Sequence, residues 1–303
     1  MIKTLKLYSL IGACLLFSSL KVHAQDWMSN LKVAQKLAAV QNKMVLMVWE
    51  EETFYDYPVV VVTSNNQSII VGNLFSEPEL NKAIWEHFVP VVVSEYVYDD
   101  LYESIKNKRS DIYLDKLSDA SLKVMDINGN IVNVNMGYEN DFNLSRIIED
   151  YAFNTEFLAH ELKNYAESKT FYTSYFLASK YLDFSLYSKP RVQSNLINLA
   201  KIYMNDATQL LAAEPDDKQP ELSQRLELLE LEADLIEGKA GRVLRKLKKM
   251  DKGLVNESIK AYQAFLYFTA HKMRNDHEKA EVWRPLVSLV NIKKVHNIVK
   301  NNL

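Results

Sequence analysis

Two different hydrophobic periodicities meet near residue 154 of this sequence. Before that point, short apolar runs alternate with stretches of helical spacing, whereas after it the apolar residues recur three or four positions apart. The second part contains only three glycines, Gly238, Gly241 and Gly253, so little interrupts its helical pattern. The sequence therefore predicts an α/β domain over residues 25–154 and an all-α domain over residues 155–303.

The predicted α/β domain contains two apolar runs and two hairpin patterns. Met44–Trp49 and Phe88–Ser94 are almost continuously apolar, which is typical of strands buried on both faces. Val59–Val62 and Ser68–Val71 flank a polar tetrapeptide and predict a hairpin. Asp126–Gly129 predicts a second hairpin, between strands at 121–125 and 130–135, because Asn-Gly readily takes positive φ angles. Helices are predicted over residues 27–41, from a start at Ser76–Glu79 to about 87, over 101–108 and from 143 past 151, and Ser76 is expected to cap the second.

This order of helices and strands resembles the thioredoxin-like family. The likeness rests on four segments that follow one another in the family's order, namely Lys36–Trp49, Leu74–Val93, Leu122–Val132 and Gly137 with the helix after it. The resemblance implies a thioredoxin-like fold for residues 25–154. Active members carry a Cys-x-x-Cys motif at the start of the helix after the first central strand, and a cis-proline before the last hairpin.

The positions at which active members perform thiol chemistry differ in this chain. Glu52 and Tyr55 stand in the region of the two cysteines, and Ala120 stands at the position of the cis-proline. Thiol–disulfide exchange requires a thiolate that forms a mixed disulfide. The resemblance therefore implies a thioredoxin-like domain without redox activity, and we interpret the protein as not an enzyme.

The second part of the chain predicts seven helices joined by brief loops. Leu226–Met250 and Ala261–Leu289 each resemble a tetratricopeptide-type helical hairpin, and a non-repetitive helical bundle is the alternative. The fold class expected for the whole chain is α/β plus all-α, a thioredoxin-like domain followed by helical hairpins. The predicted helices span 155–168, 171–188, 191–213, 221–238, 240–250, 256–274 and 277–300.

Residues 1–24 have the pattern of a cleaved signal peptide. Two lysines precede the apolar stretch Leu7–Leu20, and Val22-His23-Ala24 places small residues before a cut at Gln25. The apolar stretch is shorter than the ~20 residues of a membrane span, so we expect no transmembrane segment after cleavage. The alternative is a lipoprotein box at Ile11–Cys14, in which Cys14 is acylated. Both readings predict export, to the bacterial periplasm or the cell surface.

Two groups of residues are candidates for binding. Glu50, Glu51, Glu52 and Tyr55 follow a predicted buried strand, and α/β folds bind ligands at the carboxyl ends of strands. The second group is Tyr172, Tyr175 and Tyr187, which belong to seven aromatic residues crowded into 171–187. Tyrosine is enriched at interfaces. The structural alternatives are a solvated acidic turn for the first group and core packing for the second.

We expect neither a metal nor another cofactor. The six histidines form no metal-binding motif, and Asp126–Gly129 lacks the distal glutamate of a calcium loop, since residue 137 is glycine. A net charge of −3 gives no electrostatic reason to expect nucleic acid.

The expected function is binding of a protein or peptide in the envelope. Two alternatives remain open at this point. One is a surface lipoprotein that accompanies an uptake complex. The other is an enzyme that uses carboxylates near Glu50–Asp56 without a thiol.

The signal pattern predicts an exported chain that begins at Gln25 and carries no thiol, because Cys14 is the single cysteine of the sequence. Intact-mass measurement and thiol titration of exported material test both features. One free thiol per chain would contradict cleavage before Gln25, and an acyl mass on Cys14 would support the lipoprotein alternative.

Overall fold

The computed structural model describes residues 26–137, 140–251 and 257–302. The predicted signal segment, residues 1–24, and the lipoprotein box at Cys14 lie outside the described residues. Within these three ranges, no helix combines the length and the apolar character needed to cross a membrane.

The centre of the α/β region is a small mixed sheet built around β1 (Met44–Trp49), whose six residues are all buried. β4 (Phe88–Val93) pairs with it in parallel, and β5 (Lys123–Met125) pairs with it antiparallel. Single bridges extend both edges, from Met28 to β4 and from Ile131 to β5. The resulting order is Met28, β4, β1, β5, Ile131. The strands predicted from the two apolar runs are confirmed, although β4 ends at Val93.

The hairpin predicted after β1 is also confirmed. β2 (Val59–Val62) pairs antiparallel with β3 (Ser68–Val71) as a separate two-stranded sheet. The backbone N–H of Val60 donates to the carbonyl of Phe142 at 2.9 Å, which ties this hairpin to the segment before the last helix of the region.

The second predicted hairpin forms only its turn and one strand. The N–H of Gly129, at φ +84°, donates to the carbonyl of Asp126 at 3.0 Å, which closes the turn. The partner strand over 130–135 is reduced to the bridge at Ile131. The cause is Asn133, whose side-chain oxygen accepts from Val124 N–H at 2.8 Å and thereby takes the place of a strand carbonyl.

Among the described residues of the α/β region, five α-helices accompany the sheet, of which one was not predicted. The missing one is α4, which Ser110 caps by accepting from Tyr113 N–H at 3.4 Å. The predicted cap at Ser76 is wrong, because its hydroxyl donates to the Asn73 carbonyl and the helix starts at Pro78 without a side-chain cap. The helices are α1 (Leu31–Gln41), α2 (Pro78–His87), α3 (Tyr98–Ile105), α4 (Asp111–Ser118) and α5 (Leu144–Tyr151).

The C-terminal part is a set of packed helices, as predicted. The last predicted helix is wrong in one respect, since it is divided by a short 3-10 turn at Arg284–Leu286, where Pro285 supplies no backbone N–H. The described helices are α6 (Ala159–Glu167), α7 (Phe171–Ser185), α8 (Pro190–Leu210), α9 (Gln219–Ile236), α10 (Ala240–Met250), α11 (Lys260–Met273), α12 (His277–Trp283) and α13 (Leu289–Asn301).

A buried carboxylate joins the α/β region to the helices. One oxygen of Asp126 accepts from the backbone N–H groups of Asn128 and Asn130, at 2.9 and 3.0 Å. The other accepts from the hydroxyls of Tyr181 on α7, at 3.1 Å, and Tyr203 on α8. Burial raises the pKa of Asp126, and these hydrogen bonds oppose that shift. The turn after β5 is therefore held between two helices of the C-terminal part.

Replacement of Tyr203 by Phe tests this junction. Removing the hydroxyl leaves the buried Asp126 with one donor fewer, so we expect the free energy of unfolding to fall by about 1–3 kcal/mol. Equilibrium urea unfolding measures the loss. The control is Tyr187→Phe, at a tyrosine that is 70% exposed. Equal midpoints for the two variants would contradict a stabilising role for this contact.

Candidate functional site

The carboxyl ends of the parallel strands β1 and β4 lie side by side. Each is followed by a 3-10 turn, Glu50–Phe54 after β1 and Glu95–Val97 after β4. The two turns contact each other, because the N–H of Glu51 donates to the side chain of Glu95 at 2.8 Å. We call residues 50–56 and 95–103 together the strand-end surface.

The strand-end surface combines exposed aromatic rings with negative charge. Phe54 and Tyr55 are each 70% exposed, and Tyr96 is 97% exposed. The same two segments contain eight carboxylates and no lysine, arginine or histidine. Glu50, Glu51, Glu52 and Tyr55, the first group of predicted binding residues, all belong to this surface. Glu50 and Glu52 are half-buried, whereas Glu51 and Tyr55 point into solvent.

A charge cluster lies beneath this surface, on and around β5. Lys123 is fully buried, and its ammonium group is 3.1 Å from a carboxylate oxygen of Asp119. Lys116 is 4% exposed, and it contacts Asp141 and the hydroxyl of Ser121, both at 2.6 Å. We call these five residues the inner charge cluster. Each of its two buried ammonium groups therefore has an acidic partner, Asp141 for Lys116 and the half-buried Asp119 for Lys123.

Burial and the charges of the inner charge cluster shift the pKa values of Lys123, of Asp119 and of Glu52 on the surface above. Burial lowers the pKa of Lys123 to about 8, although Asp119 opposes this shift. Burial by itself would raise the pKa of Asp119, but Lys123, together with Ser121, outweighs it and the pKa is lowered. The pKa of Glu52 is raised by burial and by the neighbouring carboxylates, against the attraction of Lys123. Glu52 is thus the carboxylate that links the surface to the cluster.

Ala120, the residue at which the sequence resemblance would place a cis-proline, lies in the same neighbourhood. Its carbonyl accepts a hydrogen bond of 2.9 Å from the hydroxyl of the buried Tyr57. Trp49, the last residue of β1, donates from its indole N–H to the carbonyl of Leu117 at 2.7 Å. These two contacts fasten the segment before β5 to the end of β1.

The second group of predicted binding residues does not form one surface. Tyr172 is 39% exposed and Tyr187 is 70% exposed, but they stand at opposite ends of α7, which at 1.5 Å per residue separates them by about 20 Å along the helix. Tyr175 is half-buried and stacks on Phe171, with ring centroids 5.9 Å apart. Burial raises the pKa of Tyr175 to about 12. Of the crowded stretch, Phe171 and Tyr181 belong to the core.

Sequence reasoning missed Tyr96 and the buried lysines. Tyr96 repeats after β4 the acidic and aromatic pattern that follows β1, and that repetition was a usable signal. A lysine within a predicted buried strand, as at Lys123, is a second signal, because an unpaired buried charge is costly. The partners of these lysines follow from the fold alone. Within the described ranges, no group of three histidine, cysteine or acidic side chains is placed to hold a metal ion.

Comparisons of this chain with protein-family models, with curated proteins and with solved structures found no match.

The pKa of Lys123 predicts that the stability of the protein rises between about pH 8 and pH 9.5. Unfolded lysine titrates near 10.4, so the unfolded chain binds more protons in this interval than the folded chain does. The complete difference between these pKa values corresponds to about 3 kcal/mol. The interval stops below the pKa of unfolded tyrosine, near 10, because the buried tyrosines act in the opposite direction above it.

Urea unfolding over this pH interval checks the prediction with two variants. Lys123→Met is expected to abolish the rise, since it removes the titrating group. Lys106→Met, at an exposed lysine, is the matched control and is expected to retain it. Parallel stability curves for Lys123→Met and the unsubstituted chain would show that Lys123 is not the group responsible.

Proposed function

We propose that this protein is an exported, non-catalytic binding protein that holds a basic peptide segment of a partner on the strand-end surface. The observation that carries the proposal is the presence of exposed aromatic rings among eight carboxylates with no basic residue in the same segments. The partner belongs to the envelope, if the signal pattern acts as predicted.

The strand order supports a thioredoxin-like origin for this surface. β1 is central in the order Met28, β4, β1, β5, Ile131. It pairs in parallel with β4 on one side and antiparallel with β5 on the other. On that comparison, the turn Glu50–Phe54 would stand where family members carry their cysteine motif, since it directly follows β1. The packed helix pairs α9–α10 and α11–α12, at the two segments that resemble tetratricopeptide hairpins, support the tetratricopeptide-like interpretation of the second part.

The state of the charged groups favours binding over catalysis. Lys123 is fully buried and paired with Asp119, so it has no access to a substrate. Glu52 has a raised pKa, but it lies on an open turn between the exposed Glu51 and the exposed Phe54. A general acid is effective within hydrogen-bond reach of a substrate in a positioned site, and an open turn provides no such enclosure.

A basic segment is the partner chemistry that this surface would recognise. Arginine and lysine side chains bind both kinds of group on this surface. They form ion pairs with carboxylates and cation–π contacts with aromatic rings. Exposed ion pairs alone are worth little. The rings of Phe54, Tyr55 and Tyr96 would therefore provide the apolar contact that an acidic patch by itself lacks.

The experiment is a titration with two labelled nonapeptides, one of alternating arginine and serine and one of alternating glutamate and serine. We expect only the arginine peptide to bind, with an affinity that falls as salt is added. The double variant Tyr55→Ala, Tyr96→Ala is expected to weaken binding about tenfold or more. Because both rings are exposed, its urea midpoint is expected to stay close to that of the unsubstituted chain.

Tyr172→Ala and Tyr187→Ala are the matched controls, since they remove exposed rings from either end of α7. Binding of both peptides with equal affinity would contradict the proposal. A loss of binding in Tyr172→Ala or Tyr187→Ala, with none in the double variant, would instead assign the interface to α7.

A further inference from the structure

A cleft of about 400 Å³ lies between the α/β region and α8, away from the strand-end surface. Arg109 and Tyr113 line one side of it, Ile131 and Val132 line another, and Leu199 on α8 lines the third. Its volume is within the range of about 300–1,000 Å³ that is usual for small-molecule sites. No residue of the strand-end surface contributes to it, so the inference below is independent of the proposed function.

Arg109 is the unusual residue of this cleft. Its side chain is 6% exposed, and its nearest carboxylate oxygen, on Asp206, is 4.0 Å away. It donates to two neutral oxygens, the side-chain oxygen of Asn130 at 3.0 Å and the carbonyl of Lys108 at 3.2 Å, and its guanidinium lies 5.8 Å from the centre of the Tyr113 ring. Its Nε atom is buried without a hydrogen-bond partner in the described structure. A buried guanidinium with one distant counter-charge would be stabilised by a second anion.

The other residues that line the cleft indicate which chemical groups a ligand would have besides an anionic group. None of the described residues that line the cleft is acidic, and Lys108 adds an exposed positive charge at its edge. Lys201 also lines it, but its ammonium group is already 2.6 Å from Glu237. The lining also includes three asparagines, Asn135, Asn198 and Asn205. Their side-chain amides form no hydrogen bond to described residues.

We propose that this cleft, which we call the Arg109 cleft, binds a small carboxylate that carries an amide group beside an apolar side chain. The carboxylate pairs with Lys108 and Arg109, the asparagines bond the amide, and Ile112, Val134 and Ile202 contact the apolar part. A peptide's C-terminal residue and a free N-acylated amino acid share this chemistry. On α8, positions 198, 202 and 205 lie on one face because they are three or four residues apart.

The experiment is calorimetric titration of the purified exported chain with N-acetyl-leucine and with its neutral amide, N-acetyl-leucinamide. We expect saturable binding of the acid to one site and binding of the amide that is weaker by about tenfold or more, because the amide lacks the charge. The tripeptide Ala-Ala-Leu distinguishes the two sources. Binding of the tripeptide supports a peptide end, whereas binding of N-acetyl-leucine alone supports a free acylated amino acid.

Three substitutions separate the Arg109 cleft from the rest of the surface. Arg109→Gln is expected to abolish binding of the acid, and Lys108→Gln is expected to weaken it about tenfold while leaving the fold intact, because Lys108 is exposed. Lys106→Gln is the matched control, since Lys106 is a nearby exposed lysine that does not line the cleft.

Three results would overturn the proposal. The first is equal affinity for the acid and the amide, and the second is no binding of either up to the solubility limit. The third is binding of the acid that persists unchanged in Lys108→Gln, a variant that retains the buried arginine. None of these results tests the proposed function, because the arginine peptide is expected to bind at the strand-end surface.

Discussion

The arrangement of the molecule depends on one buried carboxylate. Asp126 belongs to the turn after β5, yet half of its hydrogen bonds come from tyrosine hydroxyls on α7 and α8. A buried carboxylate without such donors would be costly, so the turn and the helix pair stabilise each other only when they are together. The same carboxylate also helps to position Arg109. It accepts from the backbone N–H of Asn130, whose side-chain oxygen accepts a hydrogen bond from Arg109.

The inner charge cluster and the strand-end surface differ in how their charges are paired. Inside, Lys116 and Lys123 each lie within reach of a carboxylate, and their cost of burial is offset by those partners. Outside, eight carboxylates of the strand-end surface lie among exposed rings, and among the described ion pairs Glu103 is the member that has a basic partner, Lys106. The two buried lysines are thus paired with carboxylates, whereas the surface above them retains a net negative charge.

Sequence reasoning succeeded where local pattern decides structure and failed where distant residues meet. The strand Met44–Trp49 and the hairpin β2–β3 follow from runs of apolar and β-branched residues, so both were predictable. Helix α4 was missed although α3 and α5 are equally short, because its buried face includes Lys116, a residue type that sequence patterns assign to the surface. The site was half predictable. The acidic turn after β1 was found from its position, but the pair Arg109 and Asp206 joins residues that no local pattern connects.

The junction at Asp126 also affects how the chain is divided for study. A cut near residue 154 looks natural on the sequence, since the periodicity changes there. The fragment that ends at the cut would retain Asp126 but lose both tyrosine hydroxyls, and the other fragment would retain Tyr181 and Tyr203 with their acceptor gone. Each fragment would then expose to water polar groups that the intact chain pairs in its interior. The whole chain is therefore the appropriate unit for expression and for structural comparison.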